Sequence, residues 1–214
     1  MMTLTNVELG RQAYERIKAL IISKDLLPGQ KIVQEKLAEE LGISRTPLRS
    51  GLQMLEAESL IEAIPRRGFI VKQFSDLEVL EIYDCRIALE SMAVSLFTQK
   101  ASLNEIEELS KLFDPFLNVS EINLKEYQKI DSLFHYTLIK GCGNNFLFNL
   151  FNKGNLIVCI DLIGLLRPPK ETLKEHIDII NAIREGNVDL ASELVKQHLS
   201  ISKNLILNNM KNGI

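Results

Sequence analysis

Apolar residues along this chain recur mainly at spacings of three and four, which is the period of a helix that buries one face. After Ser75 this spacing continues almost without a break, and it predicts six or seven helices and no strand up to residue 214. Before Ser75 the pattern is interrupted by turn signals at Pro28-Gly29 and Gly42. The chain is therefore predicted to be mostly α-helical, with an N-terminal domain over residues 1–74 and a helical bundle over residues 75–214.

Three helices are predicted in the N-terminal domain. The first covers residues 7–23, and a short second helix ends at Gly42, a residue that suits a left-handed C-terminal cap. Ser44 stands where an N-cap is expected, and Pro47 falls in the next first turn, where its missing N–H costs little. The third helix is predicted over residues 45–58, so that a short helix, a tight turn and a second helix form a helix-turn-helix pattern.

The third predicted helix has one apolar face and one polar face. Leu48, Leu52 and Leu55 fall on the side that would pack inward. The opposite side carries Arg45, Thr46, Arg49, Ser50 and Gln53, with Ser44 just before it. Arginines suit guanine edges and phosphates, and the residues nearest the N-terminus of such a helix are expected to reach base edges. This face is therefore predicted to bind double-stranded DNA.

Two short strands are predicted after the third helix, over residues 60–64 and 69–71, joined by the basic turn Pro65-Arg66-Arg67-Gly68. A helix-turn-helix followed by such a hairpin is a winged helix. Arg66 and Arg67 at the tip would lie along the DNA backbone or in a minor groove. Exposure to solvent would explain any one of the four arginines by itself, but four on one scaffold favour DNA binding.

The charge of the chain is unevenly distributed. The whole chain has a net charge of −3, whereas residues 1–74 hold 11 Lys/Arg and 9 Asp/Glu, a net of +2. Residues 75–214 carry a net of −5. A mildly basic N-terminal domain is compatible with local contact to DNA, although charge alone is weak evidence for it.

The predicted location is the cytoplasm. Three cysteines without a CxxC pair indicate reduced thiols, and the N-terminus lacks the basic and apolar segments of a signal peptide. The most apolar run, residues 156–166, is short and contains Asp161, whereas a membrane-spanning helix needs about 20 apolar residues. A membrane is therefore not expected among the partners.

All three histidines of the chain, His135, His176 and His198, fall on the apolar stripes of their predicted helices. Asp131 lies four residues before His135 and on the same face. A buried carboxylate needs a partner, and one metal ion would satisfy all four side chains at once. Imidazole with carboxylate suits Zn, Ni, Mn, Fe or Co. The spacing alone is equally compatible with a polar core network that holds no metal.

Arg86 and Glu90 lie four residues apart on an otherwise apolar face of the first helix after Ser75. The pair is therefore expected to point inward. It is either a structural salt bridge or part of a binding site, in which the planar guanidinium group of Arg86 would hold the carboxylate of a ligand.

The N-terminal sequence resembles the winged-helix domain of the GntR family of bacterial transcription regulators. The resemblance covers residues 10–72 and rests on Pro28-Gly29, Leu37-Ala38, Leu41-Gly42, Ser44-Arg45-Thr46-Pro47, Arg49, Leu52, Leu55 and Arg67-Gly68. It implies DNA contacts at Arg45, Thr46, Arg49, Arg67 and Gly68. Ser50-Gly51 departs from the Glu-Ala of the family. A glycine inside a helix costs roughly 1 kcal/mol relative to alanine, so Gly51 is expected to soften the third helix.

The C-terminal sequence resembles the FCD domain, the helical effector-binding domain of FadR-like GntR regulators. The resemblance rests on "RIALE" at 86–90, "DSLFH" at 131–135, "GCGN" at 141–144, "EHIDIINAIREGN" at 175–187 and "VKQHL" at 195–199. In members that bind metal the matching Asp and three His are the ligands, which implies a metal site at Asp131, His135, His176 and His198. The resemblance also implies that Arg86, with Glu90 beside it, serves the effector.

Together these patterns predict a DNA-binding transcription regulator that acts as a homodimer on a palindromic operator, and a repressor on the habit of the family. A small carboxylate effector would bridge the metal and Arg86 and control operator affinity. One alternative is a metal-dependent enzyme with an attached DNA-binding head, and another is a polar-cored domain without metal. The enzyme is disfavoured because no general acid or base stands near the ligands in sequence, and Glu175 is expected on a different face from His176.

Overall fold

The computed structural model describes residues 6–212 of the chain. The chain divides into two compact units, Met1–Gln73 and Phe74–Ile214. The described residues form ten α-helices and one three-stranded sheet, so the prediction of a mostly helical protein is confirmed.

The N-terminal unit contains three helices, α1 (Asn6–Ile22), α2 (Gln34–Leu41) and α3 (Arg45–Ala57). Their ends differ from the predicted ends by about one residue, which is the usual uncertainty at fraying helix termini. Gly42 ends α2 in the left-handed conformation with a φ of 65°. Ser44 occupies the N-cap position of α3 with extended backbone, but its side chain accepts no capping hydrogen bond.

A small antiparallel sheet completes the N-terminal unit. Its strands are β1 (Lys31–Ile32), β2 (Ile61–Ile64) and β3 (Gly68–Val71), in the order β1-β3-β2. The β2–β3 hairpin follows the prediction, with Ile64 opposite Gly68 next to the turn. The sequence analysis missed β1, because two residues are too few to show the alternation of a strand.

Gly51 is a point of close approach between α3 and α1. A Cβ atom at this position would lie 2.7 Å from the backbone nitrogen of Tyr14 and 2.9 Å from the Cβ of Ala13. Both distances are far below the normal separation of non-bonded atoms. Gly51 therefore allows two backbones to pack directly, which is a larger role than the softening of α3 expected from the sequence.

We expect Gly51→Ala to destabilise the N-terminal unit. Replacing glycine by alanine inside a helix normally stabilises by about 1 kcal/mol, but here overpacking should dominate and cost about 1–3 kcal/mol. Urea unfolding of both proteins measures the difference. Gly154→Ala is the control, because its Cβ would meet nothing nearer than 3.5 Å. Equal losses in the two variants would contradict the close-packing argument.

Among the described residues of the C-terminal unit, 74–212, there are seven helices, in agreement with the six or seven predicted. They are α4 (Asp76–Lys100), α5 (Leu103–Lys111), α6 (Leu124–Gly141), α7 (Asn145–Lys153), α8 (Leu156–Ile163), α9 (Pro169–Arg184) and α10 (Val188–Asn212). A 3-10 turn at Asp114–Phe116 follows α5. Ser75 and Ser102 begin α4 and α5 as capping boxes, each exchanging hydrogen bonds with the Glu three residues later.

The main core of the C-terminal unit is built from α4, α5, α6, α9 and α10. Tyr127 and Phe134 of α6 and Phe113 before the 3-10 turn are fully buried in it. Charged and polar side chains are also buried in this unit. Several of them are residues that were predicted from the sequence to form a site.

No single helix within residues 6–212 is long and apolar enough to cross a membrane. Helices α7 and α8 pass that test only when joined, and they bend by 45° at the break between them. Leu147, Phe151 and Leu156 from these two helices are buried together in a second apolar cluster.

Candidate DNA-binding face and metal centre

The residues of α3 that were predicted to contact DNA are exposed. Arg45, Thr46 and Arg49 lie on the outer face of the helix, with Ser44 exposed just before them. Arg45 Nη2 lies 3.4 Å from Glu35 Oε1 of α2, and both side chains are largely exposed. An exposed ion pair contributes little to stability, so Arg45 can exchange Glu35 for a phosphate or a base edge.

The tip of the β2–β3 hairpin presents the remaining predicted DNA-binding residues. Arg66 and Arg67 are exposed, and Arg66 adopts a φ of 62°, a left-handed conformation that few residues other than glycine enter. The N–H of Arg67 donates to the carbonyl of Ile64 at 2.9 Å, and Gly68 enters β3 with a φ of 88°. This tight turn holds two guanidinium groups at the end of the hairpin, where they suit phosphates.

In the C-terminal unit, four helices each bring two polar residues, four positions apart, into one buried region. The pairs are Arg86 and Glu90 on α4, Asp131 and His135 on α6, Thr172 and His176 on α9, and His198 and Ser202 on α10. All eight residues are buried. Side chains at this spacing share one face of a helix, so each helix directs its pair to the same place.

The four predicted metal ligands converge in this region. One candidate ligand atom from each of Asp131, His135, His176 and His198 lies within 4.8 Å of the other three. His176 Nε2 is 3.6 Å from Asp131 Oδ1, and the three imidazole centroids lie 4.6–5.4 Å apart. Three helices thus bring together the four residues that the sequence marked as a group.

Two of the histidines face carboxylates through Nδ1. His198 Nδ1 lies 2.7 Å from Glu175 Oε2, and His135 Nδ1 lies 2.5 Å from Glu90 Oε2. His135 Nδ1 and Glu90 Oε2 are close, but they are not aligned as in a hydrogen bond. A carboxylate at Nδ1 holds the ring proton there, which leaves the lone pair of Nε2 for another partner.

His176 is held through a chain of hydroxyl groups instead. Its Nδ1 lies 3.2 Å from the Tyr127 hydroxyl, which lies 2.9 Å from Thr172 Oγ1, and Thr172 donates to the carbonyl of Pro169 at 3.3 Å. When each group donates to the next in this chain, Nδ1 carries the ring proton and Nε2 carries the lone pair. Phe113 stacks on the ring at 4.9 Å and fixes its plane.

Three buried ring nitrogens of the cluster form no hydrogen bond among residues 6–212, and one of them is His135 Nδ1, which faces Glu90. Within the part of the chain that the structure describes, Nε2 of His135 and Nε2 of His176 are buried and unpaired. An unpaired buried polar atom costs about 1–3 kcal/mol, and native proteins contain few of them. A divalent cation between these nitrogens and Asp131 would satisfy them, and the donor set suits first-row transition metals. The residues therefore fit a metal site.

The electrostatics favour the neutral forms of His176 and His198 and the ionised forms of Glu90 and Glu175. Burial lowers the pKa of His176 well below its ordinary value, and the two neighbouring histidines lower it further. Burial also lowers the pKa of His198, although Glu175 opposes the change. Burial would raise the pKa of Glu90 and Glu175, but the arginine and histidine beside each carboxylate lower it to about 2. Metals bind imidazole in its neutral form, so the cluster is ready for a cation at neutral pH.

Arg86 and Glu90 point inward, as expected, and are only 2% and 1% exposed. Arg86 Nε donates to Glu90 Oε1 at 2.6 Å, and the other Glu90 oxygen is the one that faces His135. Arg86 Nη2 is buried and has no hydrogen-bond partner among residues 6–212. Arg86 therefore keeps donor capacity for a ligand, whereas Glu90 accepts a hydrogen bond at Oε1 and lies in close contact with His135 at Oε2.

A small cavity adjoins the cluster. Its lining includes Arg86, Asp131, His135, Arg167, His198 and Ser202. Its volume is about 30 Å³, which holds a few water molecules at most. Three of the four candidate ligands therefore border a space that a small molecule could enter.

Three residues around the candidate ligands were not predicted as part of the site from the sequence, namely Glu175, Arg167 and Tyr127. The sequence analysis placed Glu175 on a face away from His176, whereas the Glu175 carboxylate contacts His198 of α10 and Arg167. These contacts join different helices or a helix and a loop. Spacing within one helix carries no signal for them, so only the tertiary structure reveals them.

Both units match known families. Residues 9–71 match the family described as bacterial regulatory proteins, gntR family, and residues 81–200 match the FCD domain. The chain belongs to the GntR family of bacterial transcription regulators and carries an FCD domain in its C-terminal unit, which confirms both resemblances. It is a DNA-binding transcription regulator.

Several relatives match most of the chain. The HTH-type transcriptional regulator YdhC of Bacillus subtilis is 29% identical over 88% of this chain and 87% of its own length. The HTH-type transcriptional repressor GlaR of Escherichia coli is 27% identical over 92% of this chain and 94% of its own length. The families and these relatives are transcription regulators rather than enzymes, so the enzyme alternative has no support among them.

Solved structures share the fold. A GntR transcriptional regulator from Rhodococcus sp. RHA1 superimposes with a TM-score of 0.80 at 21% identity, covering 93% of this chain and 97% of that one. McbR/YncC of Escherichia coli superimposes with a TM-score of 0.76 at 19% identity, covering 98% and 100% of the two chains. At these identities the likeness concerns the fold alone.

Proposed function

We propose that this regulator is a metal-dependent sensor of a small organic acid, and that the bound acid controls its affinity for an operator. Asp131, His135, His176 and His198 hold a divalent transition metal, such as Zn, Ni, Mn or Fe. The metal supplies a Lewis-acidic position for a carboxylate oxygen. Arg86 binds the same carboxylate, while Glu90 orients Arg86 and His135.

The observation that carries the proposal is the arrangement of the histidine nitrogens. Each ring faces a polar group at Nδ1, through hydrogen bonds to Tyr127 for His176 and to Glu175 for His198 and through a close contact with Glu90 for His135. Two of the Nε2 atoms are buried without a partner next to the Asp131 carboxylate. Outer partners that fix the tautomer while Nε2 stays free are typical of imidazole that ligates a metal. A metal-free polar network would instead leave these nitrogens unsatisfied.

The unpaired Nη2 of Arg86 supports a carboxylate as the ligand. This group lies in a buried region that also borders the cavity beside Asp131 and His135. A guanidinium group binds a carboxylate through parallel N–H donors, and burial strengthens the bond. A second oxygen of the same carboxylate can then occupy the metal position.

For the DNA-binding part, we propose that Ser44, Arg45, Thr46 and Arg49 of α3 enter the major groove and that Arg66, Arg67 and Gly68 contact the backbone or a minor groove. The active form is a homodimer on a palindromic operator, because a two-fold protein reads two half-sites. Repression is the expected output, since relatives such as GlaR are named repressors.

Operator binding with and without metal and carboxylate tests the proposal. We expect small carboxylates to shift operator affinity in the metal-loaded protein by about 5–150-fold, the usual range of coupling between two sites, and to have no effect on the metal-free protein. Fluorescence anisotropy at constant salt measures the shift. Arg86→Lys, which lacks the guanidinium fork, should bind the operator normally and lose the response. An equal shift without metal would remove the metal from the mechanism.

A further inference from the structure

Arg167 is a second arginine on the cavity that Arg86 borders. It lies between α8 and α9, and its side chain is only 7% exposed. Its Nη1 donates to Glu175 Oε2 at 2.8 Å, and its Nη2 donates to Glu175 Oε1 at 2.5 Å and to Glu171 Oε2 at 3.3 Å. These contacts use three of the five N–H donors of a guanidinium group, so Arg167 has capacity for a further acceptor.

The two arginines are connected to the cluster in the same way. Arg86 contacts Glu90, whose other oxygen faces His135. Arg167 contacts Glu175, whose Oε2 also faces His198. Each guanidinium group therefore reaches one histidine through one glutamate, and both arginines border the same small space.

We propose that Arg167 binds a second carboxylate, and that the effector is therefore a small dicarboxylate. One carboxylate of the effector occupies the metal centre and contacts Arg86, and the other contacts Arg167. This inference rests on the proposed function, because it assigns the chemical class of the acid that the same site senses.

Binding of a second carboxylate to Arg167 would release Glu171, which shares Arg167 Nη2 with Glu175 and is not among the residues that line the cavity. The Glu171 side chain is 57% exposed and its contact with Arg167 is the longest of the three, at 3.3 Å. An exposed carboxylate regains water when it leaves, so the exchange costs little. Glu175 stays in place because it also holds His198. The cavity of about 30 Å³ is smaller than any diacid, so binding requires the loop that carries Arg167 to move outward, and the shortest diacids require the smallest movement.

Isothermal titration of the metal-loaded, full-length protein tests the class of ligand. Propionate and malonate, butyrate and succinate, and valerate and glutarate form three pairs with equal numbers of carbons and one or two carboxylates. We expect the diacid of at least one pair to bind about 10-fold or more tightly, the scale of a hydrogen bond to a charged group. Arg167→Gln should reduce that ratio to near one when both proteins are compared at saturating metal, because Arg167 also holds Glu175 against His198 and its loss should weaken metal binding.

Glu171→Gln should have the opposite effect on diacid affinity from Arg167→Gln. Because Glu171 is exposed, the substitution should not impair folding. It weakens the competitor of the ligand, so the diacid should bind a few-fold more tightly while the monoacid is unaffected. A purely structural Arg167 does not produce this gain. Equal affinities for all three pairs in the wild type, or a diacid preference that survives in Arg167→Gln, would overturn the inference and leave the proposed function intact. Failure of every acid to bind would instead overturn the proposed function.

Discussion

Replacing His176 with alanine is expected to empty the metal centre. The wild-type chain should carry about one transition metal, and His176→Ala should carry almost none, because it loses a ligand whose Nε2 lies 3.6 Å from Asp131 Oδ1. The loss of affinity should exceed the roughly 10–100-fold that changes to outer partners of a metal site produce. Mass spectrometry of metal content, on protein purified without a metal-affinity tag, measures the effect and identifies the ion.

Two further variants separate loss of metal from loss of packing. Tyr127→Phe removes only the hydroxyl that lies 3.2 Å from His176 Nδ1, and it should weaken metal binding by about 10–100-fold without emptying the site at saturating metal. Thr98→Val changes a buried residue of α4 outside the cluster and should keep full metal content. Absence of metal from the wild type, even after divalent ions are added back, would show that the cluster is a polar network.

Arg49→Ala should abolish specific operator binding while the protein remains folded. Arg49 is exposed on α3, and alanine is favourable in a helix, so stability should change little. A direct base contact contributes about 1–3 kcal/mol, and a dimer loses it at both half-sites. Binding to an operator selected from random DNA should therefore fall by about 30-fold or more, as measured by fluorescence anisotropy at fixed salt.

Arg184→Ala is the matched control for Arg49→Ala. Arg184 ends α9 in the C-terminal unit, where its guanidinium group contacts Asn181 and Ser110. The two variants lose the same charge, so a general effect of charge would reduce DNA binding equally. Unchanged operator affinity in Arg49→Ala would exclude this residue from the DNA interface. Metal content should stay at the wild-type level in both variants.

The helical period was sufficient to predict the architecture of both units. The stripe of Leu48, Leu52 and Leu55 located the inner face of α3, and all three side chains are fully buried. The pair of Asp131 and His135 could be recognised because both residues lie on one helix. Periodicity reports one face of one element at a time, which explains why the two-residue strand β1 and the close approach at Gly51 were not predicted.

The candidate site was predictable only in part, for the same reason. The four ligands were marked because histidine and aspartate are unusual on apolar stripes. The groups that contact the Nδ1 atoms of His176 and His198 depend on how α9 packs near α6 and α10. No pattern within a single helix indicates that packing. Arg167 is the clearest example. It lies in a loop, eight positions before Glu175, and neither the helical period nor the motifs distinguish it from an exposed arginine.

The paired residues on α4, α6, α9 and α10 span the chain from Arg86 to Ser202. A site assembled from such distant segments exists only when the whole C-terminal unit is folded, so an ion that binds there binds the native state alone. At a free metal concentration 100 times the Kd, such an ion adds about 2.7 kcal/mol to stability. The supply of metal in the cell would then set how many regulator molecules survive unfolding and proteolysis, before any effector reaches them.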